Sequence, residues 1–479
     1  MSIAHIIILV PVLLSILLYA LAFAVNPKIA VIVFVGLLAG FLLYSWLPVG
    51  MYAVLWLNPF DRMTAISPGS RITITKILIV ILALVLGIQT LLRKDSRLIR
   101  RLYDNPLTIC GFCFLLFSII SLVNAHDYGR SLELIIRRIT IVAFYIVIIT
   151  LIDNEKKLFN ILRIYPLIYF LVGLTGFYEL LTGKSFLGIW FGGKATYRMF
   201  DISGEGIRVE GPHGDPDIFA MSFIFPISLC AVYFYLNRSI KLKLLISGLF
   251  CFLLIVLLGT SSRSGLIASL MSLFTIWYFL KFRHKYLITI LFVVLLSTTT
   301  LLFSILIPTS SSSLKRYTGQ KGTKGIYTRF GYLEMAWSAI QKHPILGIGT
   351  GHFAIEYNRY INEKVDRIPR EPHNAVIQSW AENGIFGLMS YLLLFAFAIR
   401  NAYRAIRYEE DIYFRSISVA LLATLLGLFF FAGCANVLQS QEYWIIFAFS
   451  VSVSDLHMRT RRTSFNTMHL PEHKEPLTA

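Results

Sequence analysis

Charge is scarce in this chain. Asp, Glu, Lys and Arg make up only 15% of its 479 residues, against about 25% in an ordinary globular protein. A soluble domain needs a charged surface, so the shortage excludes that class. Cysteine is scarce as well: Cys110, Cys113, Cys230, Cys251 and Cys434 all sit inside apolar segments. Cys110 and Cys113 have CxxC spacing, but no histidine or second pair lies nearby, so they read as buried thiols rather than a metal or redox site. There is no Walker loop, which excludes an ATP-driven step encoded here. Gly347-x-Gly349-x-Gly351 follows no strand and is not a dinucleotide fingerprint. No cluster of His, Cys or paired carboxylates has metal-ligand spacing. No cofactor is therefore expected.

What the chain has instead is apolar length. Hydrophobic residues make up 56% of it, and the mean hydropathy is +0.70. Runs of about 17–25 apolar residues read as transmembrane helices, because a helix satisfies its own backbone groups in hydrocarbon. The candidates are 6–25, 28–47, 72–92, 106–124, 138–153, 158–181, 217–236, 243–260, 264–280, 286–307, 385–402, 415–434 and 441–456. The first lacks a cleavable signal pattern and is expected to stay as a span. A shorter run, 48–60, reads as a half-span or a kinked extension of its neighbour. The expected fold is all-α: a polytopic integral membrane bundle of about 12–14 transmembrane helices.

The net charge of +18 would suggest nucleic acid in a soluble protein. Here the basic residues cap the apolar runs, so topology and anionic headgroups explain them and no nucleic-acid partner is expected. Arg93, Lys94, Arg97, Arg100 and Arg101, then Lys156 and Lys157, then Arg238, Lys241 and Lys243, then Lys281, Arg283 and Lys285, and finally Arg404 and Arg407 fall in connections on one side. Arg459, Arg461 and Arg462 join them. The positive-inside rule makes that side cytoplasmic. The chain then divides into N-terminal spans (1–181), central spans (182–307) with an outward loop at 182–216, a large outward loop (308–384), C-terminal spans (385–456) and a basic cytoplasmic tail (457–479).

A connection as long as 308–384 is usually functional or disordered. Thr328 to Gln341 has helical spacing, with Phe330, Leu333, Trp337 and Ile340 on one face. A second helix is expected from Asn374 to Glu382, opened by Pro372 and closed by Asn383-Gly384. The loop reads as a folded lid. It is basic: Lys315, Arg316, Lys321, Lys324, Arg329, Lys342, Arg359, Lys364, Arg367 and Arg370 outnumber its carboxylates. Solvation or anionic lipid is the plain explanation, and a phosphate-bearing partner at the outer leaflet the sharper one.

Three residues stand out chemically. His373 precedes the second lid helix and suits proton transfer, although a lone histidine is more often structural. Arg263, in a tight Thr260-Ser261-Ser262-Arg263-Ser264-Gly265 connection, either snorkels or presents a planar fork to phosphate. Arg208 lies on a glycine- and proline-rich loop, where it binds a ligand or simply pairs with Glu210 or Asp215. Asp217 can cap the following span.

Taken together these segments resemble the bacterial O-antigen ligase and polymerase superfamily. The resemblance rests on Trp337 to Gly351 (W-S-A-I-Q-K-H-P-I-L-G-I-G-T-G), Pro372-His373-Asn374, Ala381-Glu382-Asn383-Gly384-Ile385-Phe386-Gly387, the Ser262-Arg263-Ser264-Gly265 turn and the Arg208…Gly211…Asp215-Pro216-Asp217 segment. It is clear from about residue 200 to 400. Asp217 stands where many members carry asparagine; both residues cap helices. The resemblance implies a metal-independent glycosyltransferase of the bacterial inner membrane, with 308–384 a periplasmic lid over the site. Its donor would be an undecaprenyl-diphosphate-linked glycan, and its acceptor lipid A–core or a second lipid-linked repeat. Arg208 and Arg263 would bind the diphosphate, and His373 would orient or deprotonate the acceptor hydroxyl. Arg329, Arg370, Asn374 and Glu382 are the expected substrate-binding residues, with membrane lipid and other polysaccharide-assembly proteins as further partners. The rival from another class is a secondary transporter or flippase for a polar or anionic solute, which usually shows internal repeats; none is evident here.

Overall fold

The computed structural model describes residues 47–66, 72–93, 102–191, 208–280, 323–355 and 372–468. Predicted spans 6–25 and 286–307, and nearly all of 28–47, lie outside these residues. Among the described residues every regular element is helical, apart from an isolated bridge between Ala65 and Thr73.

The helices follow in chain order as α1 Leu47–Leu57, α2 Ile74–Arg93, α3 Pro106–Ile120, α4 Tyr128–Leu151, α5 Glu155–Thr182, α6 Phe186–Trp190, α7 Pro216–Ser222 and α8 Ile224–Leu236. After them come α9 Ile240–Gly259, α10 Arg263–Phe279, α11 Thr323–Lys342, α12 Ala375–Tyr408, α13 Ile412–Ala432 and α14 Gln441–Met468. Short polar side chains set where many of them begin. Asn105, Asp127, Asn154, Asp411 and Asn374 each accept a backbone N–H from the first turn of the helix they precede, satisfying donors the helix itself cannot. Predicted span 217–236 is broken at Phe223 into α7 and α8. Pro226 supplies the reason, since it has no N–H to give the carbonyl of Ser222.

Eight of these segments are long and apolar enough to cross a membrane, counting α7 and α8 as one. The protein is therefore a polytopic helical membrane protein, as composition led us to expect. Burial separates centre from rim. Within its most apolar window α13 is 78% buried, whereas α2 is 28% buried and turns most of that window outward. α10 and α8 pack against α13, and α3 packs against α12.

Of two predicted boundaries that bear on the site, one moves and one holds. The span expected at 138–153 begins at Tyr128, so Arg138 lies well inside α4 instead of at its edge. The second lid helix closes at Asn383-Gly384 as expected, since Gly384 is non-helical (φ 70°, ψ −174°), and a second helix follows it directly into the predicted span 385–402; the two are together labelled α12.

Following the chain sorts the connections to two ends of the bundle. Arg93, Lys156, Lys157, Arg238, Lys241, Lys243, Arg404 and Arg407 share one end. Arg208, Arg263 and His373 are at the other. The lid assembles over that second end. α11 buries Tyr332, Met335, Ala336, Ala339 and Ile340 against Ile348, Phe353 and Ala381. That stripe differs from the expected one: Ile340 is in it, but Trp337 is 54% exposed and packs edge-on against Trp380. The Gly347–Gly351 turn then lies along the α12 bend, with Ile348 N–H donating to Ala381 O (2.9 Å), Gly349 N–H to Glu382 O (3.1 Å) and Ile385 N–H to Pro344 O (3.0 Å).

Candidate active site

The site is built on two connections, 208–217 and 260–263, that cross the same end of the bundle. Val209 N–H donates to Gly259 O at 3.2 Å, holding the two side by side. Asp215 caps α7, accepting the N–H groups of Asp217 and Ile218 at 2.8 and 3.0 Å. The sequence suggested Asp217 for that task. Because Asp215 performs it, the Asp217 carboxylate is available to Arg208.

Arg208 donates from Nη2 to Asp217 Oδ1 at 2.8 Å and from Nε to Thr260 O at 3.0 Å. Its ion pair is thus with Asp217, and its charge also acts on Glu210, one of the two partners considered from sequence. Two of the five donors of a guanidinium fix the plane of the group. Ser262, which caps α10 by accepting Gly265 N–H at 3.3 Å, also reaches the Asp217 carboxylate, and His373 lies within electrostatic range of it. Arg263 follows Ser262 in the first turn of α10 and is exposed. Arg208, Ser262 and His373 thus converge on Asp217, and Arg263 is the next residue after Ser262 at the same end of the bundle.

Two backbone outliers mark the same place. Ser261 (φ 53°) and His373 (φ 47°) adopt left-handed conformations without being glycine. Such strain persists only where the surroundings over-determine it, and it concentrates at ligand sites. His373 also contacts the lid, its ring centroid 6.0 Å from that of buried Tyr332.

The expected substrate-binding residues fare differently. Asn374 caps α12, its side chain accepting Ile377 N–H at 3.0 Å. Glu382 is 1% exposed, accepts from Gln378 Nε2 at 3.1 Å and faces Arg138; it is a buried group rather than a surface one. Arg370 and the side chain of Arg329 lie outside the described residues.

Behind Arg208, a set of carboxylates the sequence did not single out shapes its loop. Glu179 is fully buried and accepts three backbone N–H groups: Phe186 at 2.8 Å, Glu210 at 2.9 Å and Gly211 at 2.9 Å. His213 Nε2 is 3.2 Å from Glu442 Oε1, tying the loop to α14, and Arg62 donates to Gly214 O at 3.2 Å. These partners are far apart in sequence, so no local pattern signals them.

Glu210 is 4% exposed. Burial raises its carboxyl above the usual carboxylate range, an effect partly offset by the hydrogen bond from Ser185 and the charge of Arg62. The folded state thus holds this proton more tightly than the unfolded chain does. Its contribution to stability is greatest below the unfolded value of about 4.3 and falls as pH rises through the window up to the folded value. Glu210→Gln, which keeps the acceptor oxygen for Ser185, should raise the melting temperature at pH 7 and flatten that decline. A glutamine variant less stable than wild type at pH 7 would contradict this account.

The fold is thus that of a polytopic helical membrane protein, with Arg208, Asp217, Arg263 and His373 in connections at one end of the bundle. Comparison with known proteins narrows the class. Residues 248–392 match the family described as O-Antigen ligase, a stretch that contains Arg263 and His373 but not Arg208. The chain is also 25% identical over 255 residues to the O-antigen ligase of Salmonella typhimurium (strain LT2), covering 49% of this chain and 58% of that protein. Both findings are of similarity to O-antigen ligases, and the chain spans a little over half the length of the curated relative.

Proposed function

We propose that this protein is a glycan-transferring enzyme of polysaccharide assembly, using an undecaprenyl-diphosphate-linked glycan as donor at the periplasmic face of the bacterial inner membrane. The observation that carries the reading is the meeting of Arg208 and His373 at Asp217, beside the turn that holds Arg263, at the end of the bundle opposite the basic connections. By the positive-inside rule that end is periplasmic.

The chemistry needs neither nucleotide nor metal. The bond between the sugar anomeric carbon and the diphosphate is already activated. As it breaks, negative charge builds on the departing lipid diphosphate. Guanidinium groups held in place beforehand stabilise that charge more than they stabilise the bound donor, which is the condition for acceleration. Arg208 meets the requirement, since Asp217 and Thr260 hold its plane. His373 accepts the proton of the acceptor hydroxyl as its oxygen bonds to the anomeric carbon, and undecaprenyl diphosphate leaves. The lipid tail enters sideways from the bilayer, which explains a site at the membrane boundary. The acceptor is lipid A–core in a ligase and a second lipid-linked repeat in a polymerase.

The test is transfer by purified protein in nanodiscs, with a defined undecaprenyl-diphosphate oligosaccharide, EDTA and no nucleotide. Lipid A–core and a second lipid-linked repeat are supplied in separate reactions. Product should form with one acceptor and fall about 10²–10⁴-fold in His373→Ala, the usual worth of a positioned acid–base group. Absence of product with both acceptors, without donor consumption or binding, would overturn the reading and make transport the next hypothesis.

A further inference from the structure

Arg138 is a charge in the interior of a membrane helix. It lies ten residues into α4 and is 2% exposed. Its Nη1 donates to Ser118 Oγ of α3, to Asn383 Oδ1 of α12 at 3.0 Å and to Thr350 Oγ1 of the glycine turn at 3.4 Å. With the Gln439 amide oxygen turned inward, that oxygen accepts from Nε at 3.1 Å and Nη2 at 3.0 Å. Nη2 is 3.8 Å from Glu382 Oε2, and the guanidinium lies over the Phe114 ring, 4.9 Å from its centroid. One side chain therefore joins α3, α4, α12, the glycine turn and the connection before α14.

The lid rests on this group and its neighbours. Thr350 Oγ1 bonds Asn383 Oδ1 at 2.8 Å and Ser118 O at 3.0 Å. Ser131 Oγ donates to Thr350 O at 2.7 Å, and Asn124 Nδ2 to Gly347 O at 2.7 Å. His352 Nε2 accepts the N–H groups of both His126 (2.9 Å) and Asp127 (2.8 Å).

Stability alone does not account for such a seat. A buried ion pair seldom stabilises more than apolar side chains of the same volume, and ionisable groups at membrane depth are costly and tend to be functional. The seat is rich in buried polar atoms: Gln378 Oε1, Ser379 Oγ, Glu382 Oε2 and Asn383 Nδ2 are all buried in it. All four belong to one stretch of α12, between His373 and the bend at Gly384. Glu382 is nine residues from His373, roughly 13 Å along a helix. The half-helix connecting them is a short rigid lever, separated from the rest of α12 by the bend.

We infer that Arg138 and Glu382 are positioning residues: their buried pair sets the height and angle of the half-helix that carries His373 to the Arg208–Asp217 pair. The inference rests on the proposed reading, in which His373 works at that site.

The decisive variant replaces the pair with apolar residues of similar size, Arg138→Met together with Glu382→Leu. Neither charge is then left unpaired, but Asn383, Gln439 and Gln378 each lose a partner, so the melting temperature should fall and turnover is compared where both proteins are folded. Turnover there should fall about 10²-fold, the scale expected for a misplacement of about 1 Å at a reacting group, with KM little changed. Amide hydrogens of residues 374–383 should lose protection from exchange. Arg138→Lys, which keeps charge without the fork, should restore part of the turnover. Should the double variant not fold, Glu382→Gln carries the same test, since it preserves shape and the contact with Gln378. Wild-type turnover with wild-type exchange in either variant would overturn the inference. If wild type itself transfers nothing, the proposed function fails separately. The exchange measurement then still decides the seat: unchanged protection at 374–383 refutes it, and lost protection upholds it.

Discussion

Arg208→Ala should fold and bind to the membrane normally, yet transfer glycan on the order of 10²–10³ times more slowly, the range seen when one preorganised charge-stabilising donor is removed. The expectation follows from how the group is held. Nη2 is fixed by Asp217 and Nε by Thr260, so the guanidinium plane is set before any ligand arrives. Arg208→Lys should rescue little of the loss, because an ammonium cannot bond both partners and still present a planar fork. Asp217→Ala should slow transfer less than Arg208→Ala, since Arg208 keeps its bond to Thr260 O but loses one anchor. Asp217→Asn, which keeps an oxygen acceptor, should lie nearest wild type. Single-turnover kinetics on the four variants, with melting temperatures alongside, would check the order. Wild-type turnover in Arg208→Ala would remove this residue from the reacting centre. Full rescue by lysine would mean that charge matters and the fork does not.

Gly384→Ala should prevent the protein from folding. At φ 70° and ψ −174° the backbone is in a region essentially reserved for glycine, which costs other residues about 1–3 kcal/mol. A β-carbon there would also lie 1.8 Å from Ile345 O, 2.3 Å from Ile345 C and 2.7 Å from Leu346 N. Those atoms are backbone, tied to α12 through the Pro344–Ile385 hydrogen bond, and cannot swing aside. Alanine thus forces apart the glycine turn and the α12 bend, and with them the seat of the lid. We expect no monodisperse protein in detergent, or a destabilisation beyond about 4 kcal/mol, which is rare for a single substitution. Gly248→Ala is the control: it lies on an exposed face of α9 with nothing within 4 Å of the added carbon, and should be neutral or gain about 0.5–1 kcal/mol. A Gly384→Ala protein that melts like wild type would show that the bend is not as described.

Much of this protein was legible in its residues alone. Apolar runs of bilayer length determined the spans, because a membrane helix must be apolar along its whole course. Basic residues at the ends of those runs determined which connections lie together. The arginines at 208 and 263 and the histidine at 373 stood out because each interrupts an apolar chain beside glycine, serine or proline. Only the tertiary structure decided how these groups are held. Asp215 and Asp217 are two residues apart and chemically alike, yet one caps α7 and the other pairs with Arg208; the choice depends on where the 260–263 connection crosses. Arg138 looked like the edge of a span until α4 was seen to begin at Tyr128. Glu382 looked like a surface ligand until α12 was seen to bury it against that arginine. The buried face of α11 shifted for a similar reason, since Ile348, Phe353 and Ala381 define what it packs against. Hydropathy and helical period are properties of one segment, which sequence carries in full. The partner of a buried charge belongs to several segments at once, and it exists only after they pack.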